Sequence, residues 1–344
     1  MKTNLINIAV AGATGFVGLD LVYLLTKHPK VKILKLCSKK NTGKQIQIFD
    51  KRIKKKLPKL SKIEKVSWDK IDLLFLSLPN GEAQKLVKKL YYNYPKLRFI
   101  DLSADFRLKK SKNYYKWYKR KHLAKNLIQK SVYSIAEFSK KKIKNQRLIS
   151  NPGCYPTSIL LALVPVIKKD LLKIRSIIID SKSGFSGAGK HFSKKFNYKN
   201  LYDSTFAYNV SKHRHIAEID EELKRQTNKL IKYTFTPHVI PTYRGILSSI
   251  HIETSKKPNL KKLVFNLRKF YQNDKFVKVL DLNQTISTGN VINTNFCYIS
   301  VCQTRYNNRV IIFSSIDNLI KGACGQAIQN MNLIYNLNKN IGLK

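Results

Sequence analysis

The run INIAVAGATGFVG, residues 6–18, constrains the fold of this chain more than any other stretch. Ile6 to Ala11 is a β-favouring, largely apolar run that leads straight into Gly12, Gly15 and Gly18, and a helical pattern from Val17 to Lys27 follows. A strand feeding a helix through a glycine-rich turn opens a parallel, doubly wound sheet. The glycines permit the tight turn and the close approach of a diphosphate, and the first N–H groups of the helix face it. The spacing, GxxGxxG, is a variant of the usual dinucleotide fingerprint, so strand-before and helix-after context carries the reading. Gly12, Thr14, Gly15, Phe16, Val17 and Gly18 are the candidate cofactor turn.

The alternation continues. Val31 to Cys37, Asp72 to Leu78 and Arg98 to Leu102 read as strands and Glu82 to Tyr92 as a helix, which argues for a parallel sheet with helical crossovers. From about Ser176 the style changes. Five β-rich runs (176–183, 232–240, 245–254, 296–304 and 309–317) are joined by longer connections, with helical stretches at Ile216 to Thr227 and Leu260 to Gln272. That is the style of an α+β domain with a largely antiparallel sheet. Asn318 to Leu337 carries apolar residues at helical spacing, from Leu319 to Ile334, and needs a partner for one face.

Composition excludes several functions. The formal charge of +46 invites a nucleic-acid reading, yet only 12 of the 66 basic residues are arginine and the lysines are spread along the chain with abundant Asn and Ile. An AT-rich coding sequence produces that bias, whereas a dedicated nucleic-acid binder concentrates arginine-rich charge on one face. No dedicated nucleic-acid partner is expected. The longest apolar run, Ile159 to Ile167, contains Pro165 and falls far short of the roughly 20 residues that span a bilayer. The first strand begins within a few residues of Met1, leaving no room for a targeting peptide, so a cytoplasmic protein without membrane association is expected. Cys37, Cys154, Cys297, Cys302 and Cys324 form no CxxC pair and accompany no regularly spaced histidines, so neither a metal site nor a disulfide framework is expected.

An NAD-preferring site places an acidic residue at the end of the second strand, to bind the ribose hydroxyls. Here that position reads Cys37-Ser38-Lys39-Lys40, and a serine with two lysines suits the 2′-phosphate of NADP(H).

In SNPGCYPTS, residues 150–158, Cys154 stands at the entry to a helix candidate, Thr157 to Ile167. N–H donors and the positive end of the helix dipole favour a thiolate there. Gly153 lets the backbone crowd a substrate carbonyl, so that nearby N–H groups can stabilise an oxyanion. His213-Arg214-His215, followed by Glu218, supplies imidazoles for proton transfer. In an extended segment both rings point to one side; if the segment opens the helix containing Glu218, they diverge. Two further segments look phosphate-directed: Ser183-Gly-Phe-Ser-Gly-Ala-Gly-Lys190 and Asp101-Leu-Ser-Ala-Asp-Phe-Arg107. Joined to a nicotinamide site and a cysteine, they describe a phosphorylating, thioester-forming aldehyde dehydrogenase.

AGATGFVG, IDLSADFRL, SNPGCYPTS, KSGFSGAGK, HRHIAEID, FTPHVIPTYRGIL and IDNLIKGACGQAIQNMNL together make the whole chain resemble the N-acetyl-γ-glutamyl-phosphate reductases, relatives of aspartate-semialdehyde dehydrogenase. The resemblance implies an α/β fold: a Rossmann-like NADP-binding domain, 1–153 with 317–344, and an α+β catalytic and dimerisation domain, 154–316. It further implies a homo-oligomer, dimer or tetramer, acting on a small-molecule acyl phosphate in arginine biosynthesis, with Cys154 as nucleophile and His213 and His215 as the active-site pair. His215 is the favoured proton donor, with His213 open. The sister acyl-phosphate reductases, for aspartyl phosphate or a carrier-linked aminoadipyl phosphate, are the alternative. Candidate cofactor contacts extend to Ser38, Lys39, Pro79, Ser183, Gly184, Gly187 and Asn318. Candidate substrate contacts are Ser103, Arg107, Asn151, Gly153, Arg214 and Arg244, the last for the free carboxylate. The chain departs from the family pattern at Asn80, where histidine is usual, at Ala217 in place of threonine, and at Cys324 in place of a small non-thiol residue.

Overall fold

A computed structural model describes residues 5–139, 143–189 and 203–344. The chain forms two compact units, Met1–Pro152 with Ala323–Lys344, and Gly153–Gly322.

The first unit is wound on a six-stranded sheet whose neighbouring strands are all parallel, in the order β2-β1-β3-β4-β6-β5. The strands are β1 (Ile6–Ala11), β2 (Val31–Cys37), β3 (Leu73–Leu76), β4 (Arg98–Asp101), β5 (Ser131–Tyr133) and β6 (Leu148–Ser150). Central β3, LLFL, is buried throughout, as expected of a strand covered on both faces. Helices α1 (Phe16–Thr26), α2 (Glu82–Leu90), α3 (Ser111–Tyr118), α4 (Lys125–Ile128) and α5 (Ala136–Ser139) make the crossovers. The C-terminal helix of this unit, Gly325–Ile334, is tied down by buried amides. Asn330 Nδ2 donates to the Ser134 carbonyl (3.0 Å) and to Asn151 Oδ1 (3.1 Å), and Asn332 Oδ1 meets His28 Nε2 (2.9 Å).

The second unit opens with α6 (Cys154–Lys168) and builds a seven-stranded mixed sheet, β11-β12-β13-β10-β7-β9-β8. Its strands are β7 (Ile174–Gly184), β8 (Phe206–Ala207), β9 (Thr234–Ile240), β10 (Ile246–Thr254), β11 (Val277–Val279), β12 (Cys297–Gln303) and β13 (Arg309–Ile316). Four of its six pairings are antiparallel; β7–β9 and β11–β12 are parallel. Helices α6 and α8 (Leu260–Tyr271) pack against it, and α7 (His215–Thr227) packs on α6; the helix Gly325–Ile334 is α9.

Helix α6 starts three residues earlier than the sequence suggests, because Pro156 lies in its first turn, where a missing N–H leaves no bond unmade. It also continues through Pro165, which cannot donate to the Leu161 carbonyl. The Tyr271 hydroxyl donates to that carbonyl instead (2.5 Å). No helix among the described residues is long and apolar enough to cross a membrane.

Candidate active site

The glycine-rich turn is sterically committed. Gly12 has φ +79°, and a Cβ there would lie 1.9 Å from the Ser77 carbonyl oxygen; one on Gly18 would lie 2.2 Å from the Gly12 carbonyl oxygen. Gly12 N–H and Ala13 N–H donate to the Cys37 carbonyl (3.0 and 3.1 Å), which sets the turn against the end of β2. Helix α1 then begins with no side chain capping its N-terminus. Backbone donors and dipole are thus left to a phosphate, and the turn fits a dinucleotide. At the end of β2 no carboxylate is offered: Ser38 Oγ lies 3.0 Å from Thr14 Oγ1, Asn41 Nδ2 donates to both hydroxyls (3.4 Å each), and Lys39 is exposed. Asn41 was not singled out from sequence; a polar residue three positions past a strand end carries no signal of its own.

The segment Asp101–Arg107, expected to face a phosphate, is held in place by a dense set of hydrogen bonds within the first unit. Asp105 accepts from Gly81 N–H (2.7 Å) and Gln84 N–H (3.0 Å), satisfying donors at the start of α2. It also accepts from the Tyr114 hydroxyl (2.9 Å), which in turn reaches Asn80 Oδ1 (3.0 Å). The loop Leu78–Gly81, including Pro79, is thereby held at the C-terminal end of β3. Asp101 accepts from Ser103 N–H (2.9 Å) and Phe106 N–H (3.3 Å), and complete burial followed by repulsion from Asp105 pushes its carboxyl up to about 7. Ser103 Oγ accepts from Asp105 N–H (3.1 Å). Arg107 is buried and donates to the carbonyls of Asn151 (2.9 Å) and Leu102 (3.0 Å). Asn151 is fully buried, with Nδ2 on the Ala323 carbonyl (3.0 Å). These three candidate substrate residues belong to the first unit and brace its loops.

In the second unit Cys154 is the first residue of α6, half-buried, with Gly153 preceding the helix in an extended conformation. The Gly153 N–H donates to Glu218 Oε1 (2.6 Å), and the Gly153 carbonyl accepts from Thr157 N–H (2.9 Å) and Oγ1 (2.8 Å). Glu218 therefore clamps the backbone at the nucleophile candidate from one turn beyond His215.

The histidines do not diverge, although His215 does open α7. Their rings are 4.7 Å apart, and both pack edge-on against Tyr155, at 5.4 and 5.9 Å. His213 precedes the helix, and its Nδ1 accepts from the His215 N–H (3.2 Å), which folds the two side chains to one side. With Nδ1 as acceptor, the proton of neutral His213 lies on Nε2 and points to the Tyr208 hydroxyl (3.3 Å). Tyr208 donates to the Tyr155 hydroxyl (3.4 Å) and Tyr155 to the His238 carbonyl (3.0 Å). Burial, followed by the Arg214 charge, lowers the His213 imidazole to about 4. Burial raises Tyr155 and pushes Tyr208 up to about 12, so both phenols stay protonated, and charge on Cys154 adds to each upward push. Arg214 itself is exposed at the start of α7.

Two family-model matches divide the chain: residues 7–146 match the semialdehyde dehydrogenase NAD binding domain, and 154–318 the semialdehyde dehydrogenase dimerisation domain. An N-acetyl-gamma-glutamyl-phosphate reductase of Clostridium beijerinckii is 40% identical over 339 residues, covering 98% of each chain. One of Ehrlichia ruminantium (strain Gardel) is 41% identical over 341 residues, 98% of this chain and 97% of its own. The chain belongs to the N-acetyl-γ-glutamyl-phosphate reductase family. In fold it is similar to aspartate semialdehyde dehydrogenase II of Vibrio cholerae, at TM-score 0.72 and 18% identity over 97% of this chain and 99% of that one. A Candida albicans aspartate semialdehyde dehydrogenase solved with NADP gives TM-score 0.65 and 16% identity over 98% and 99%.

Against the family pattern, the remaining candidates in the second unit converge. A Cβ on Gly184 would lie 2.7 Å from Arg244 N and Cα, and one on Gly187 would lie 3.0 Å from Ser183 Oγ. Asn318 Oδ1 accepts from Gly245 N–H (2.7 Å) and its Nδ2 donates to Ser186 Oγ (3.0 Å), so Ser183, Gly184, Gly187, Arg244 and Asn318 form one packed corner. Arg244 pairs with fully buried Asp317 (3.1 Å). Lys190, the last residue of the glycine-rich loop, lies outside the described residues. Of the departures, Asn80 keeps a hydrogen-bonding side chain in its loop, and Ala217 and Cys324 are buried.

Proposed function

We propose that this chain reduces N-acetyl-γ-glutamyl phosphate to N-acetylglutamate semialdehyde with release of inorganic phosphate, using NADPH, in arginine biosynthesis. The observation that carries the reading is Cys154 at the head of α6, in the same unit as an imidazole pair gathered on Tyr155. The turn Gly12–Gly18 would hold the diphosphate of the cofactor, with Ser38, Lys39 and Thr14 at its 2′-phosphate. When bound, the cofactor supplies the hydride that reduces an acyl-enzyme carbonyl.

The chain's own residues do the rest. His215 takes the thiol proton as Cys154 Sγ bonds to the acyl carbon, and the bond from that carbon to the phosphate oxygen breaks, leaving a thioester and inorganic phosphate, which takes up one proton from solvent. His215 returns the proton to the acyl oxygen when it becomes negative, and recovers it as the C–S bond breaks to release the aldehyde and the thiolate. His213 is held neutral and both of its nitrogens are engaged, so it positions His215. Gly153 keeps side-chain bulk away from the acyl group, and Arg244 and Arg214 supply charge for the substrate carboxylate and phosphate.

A homo-oligomer in the cytoplasm completes the proposal. The row Ile178–His251–Ile311 across β7, β10 and β13, with Ile178 51% exposed, gives the second unit an open sheet face for a second copy. Sedimentation at micromolar concentration tests this part, a lone monomer counting against it. The test of the reaction is phosphate-dependent NADPH formation from N-acetylglutamate semialdehyde and NADP, with aspartate semialdehyde as comparison. Turnover on the acetylated substrate supports the reading, and preference for the aspartyl substrate moves the chain to the sister activity.

A further inference from the structure

After β13 the chain makes a π-helical turn, Ile320–Cys324, in which the Gly322 N–H reaches back five residues to the Asp317 carbonyl (2.9 Å). Such turns interrupt regular backbone and recur at functional sites. This one is anchored by Asp317. Its Oδ1 accepts from Leu319 N–H (2.8 Å) and Ile320 N–H (3.1 Å), and its Oδ2 accepts from Arg244 Nη1 (3.1 Å) and Asn293 N–H (2.8 Å). A side chain at Gly322 would place its Cβ 2.7 Å from the Cys154 Cβ and 3.1 Å from the Cys154 Cα, with Ile316 Cδ1 next at 3.3 Å. The φ of Gly322 is not in the left-handed region, so the backbone itself tolerates alanine. The neighbour that excludes a side chain is Cys154.

We infer that Gly322, held by the Asp317 turn, is a positioning residue for Cys154. Its bare Cα forms the surface on which the Cα–Cβ bond of Cys154 is seated, and the turn thereby sets where Sγ points. The inference rests on reading Cys154 as the nucleophile. It gives Arg244 a second effect, since this arginine neutralises the carboxylate that anchors the turn.

The experiment is Gly322→Ala, followed by three readouts: iodoacetamide alkylation of Cys154 across pH 6–9, read on its peptide by mass spectrometry; kcat; and affinity for adenosine 2′,5′-bisphosphate. A nucleophile displaced by a fraction of an ångström to an ångström loses on the order of 10- to 100-fold in rate. The expected result is a fall of that size in kcat, where the substrate is held against Sγ, and a change of more than twofold in alkylation rate as Sγ leaves its place at the helix N-terminus, with bisphosphate affinity unchanged. A folded variant with alkylation and kcat within twofold of wild type overturns the inference. If the variant does not fold, Cys154→Gly is added, which removes the atom in conflict; recovery of the fold supports the contact and continued failure overturns it. A Cys154→Ser enzyme that kept turnover would sink the nucleophile reading, while the alkylation readout would still judge the contact.

Discussion

His213 decides which imidazole moves protons. With its imidazole at about 4, roughly one molecule in a thousand carries a protonated His213 at pH 7, against roughly a quarter for an unperturbed imidazole near 6.5. As a proton donor it is about 200-fold less available than an ordinary histidine. The same depression links it to stability. Between about pH 6.5 and 4 the unfolded chain binds a proton that the folded chain refuses, so this stabilisation is complete above pH 6.5 and is lost as pH falls through 4. It amounts to about 3 kcal/mol over that window. NMR titration of the histidine ring protons, with His213→Asn to assign the signal, reads the first quantity. Denaturant unfolding at pH 7 and pH 4.5 reads the second, with the wild type losing more stability than His213→Asn. In the pH–rate profile, His213→Asn should keep the imidazole inflection at reduced kcat, and His215→Asn should lose it. A His213 signal titrating near 6.5, or an inflection that disappears with His213 and survives loss of His215, refutes the reasoning.

Other consequences follow from named contacts. Gly12→Ala places a Cβ 1.9 Å from the Ser77 carbonyl and strains φ +79°, so equilibrium dialysis should find NADP binding weakened at least 100-fold in any protein that folds. Asp105→Ala strips the acceptor from two N–H groups at the start of α2 and from Tyr114; the unfolding free energy should drop by about 2–4 kcal/mol, measured by urea titration. Asp101, raised to about 7, favours the fold as a neutral acid, a contribution present below its unfolded pKa and lost as pH rises through 7. The stability of Asp101→Asn relative to wild type should therefore improve between pH 4 and pH 8, and a flat difference would count against the burial argument.

Much of this was legible from residues whose chemistry leaves few options. Ile6–Ala11 and Val31–Cys37 were readable to the residue because both are short, mostly apolar, β-favouring runs bounded by turn signals, with a helical pattern between them. Cys154, His213 and His215 were legible as reactive types in constrained settings. What sequence could not carry were contacts between distant segments. The tail read as a single helix from Asn318, whereas β13 gives way to the Asp317-anchored π turn and α9 begins at Gly325, because Asp317 bonds to Arg244 and Asn293. In the Asp101–Arg107 segment the arginine drew attention as an anion contact, while the part its two acids play, holding backbone donors of α2 and of their own loop, had no signal in the sequence. The two histidine rings meet through the bond from the His215 N–H to His213 Nδ1 and against Tyr155, which reaches both from α6, far earlier in the chain.

The most direct test of the whole account is mass spectrometry of the enzyme mixed with N-acetyl-γ-glutamyl phosphate in the absence of NADPH. The expected result is an N-acetylglutamyl adduct on the peptide containing Cys154, labile to hydroxylamine and absent from Cys154→Ser. An unmodified Cys154 peptide in protein that turns over once NADPH is added, or an adduct at another residue, would contradict it.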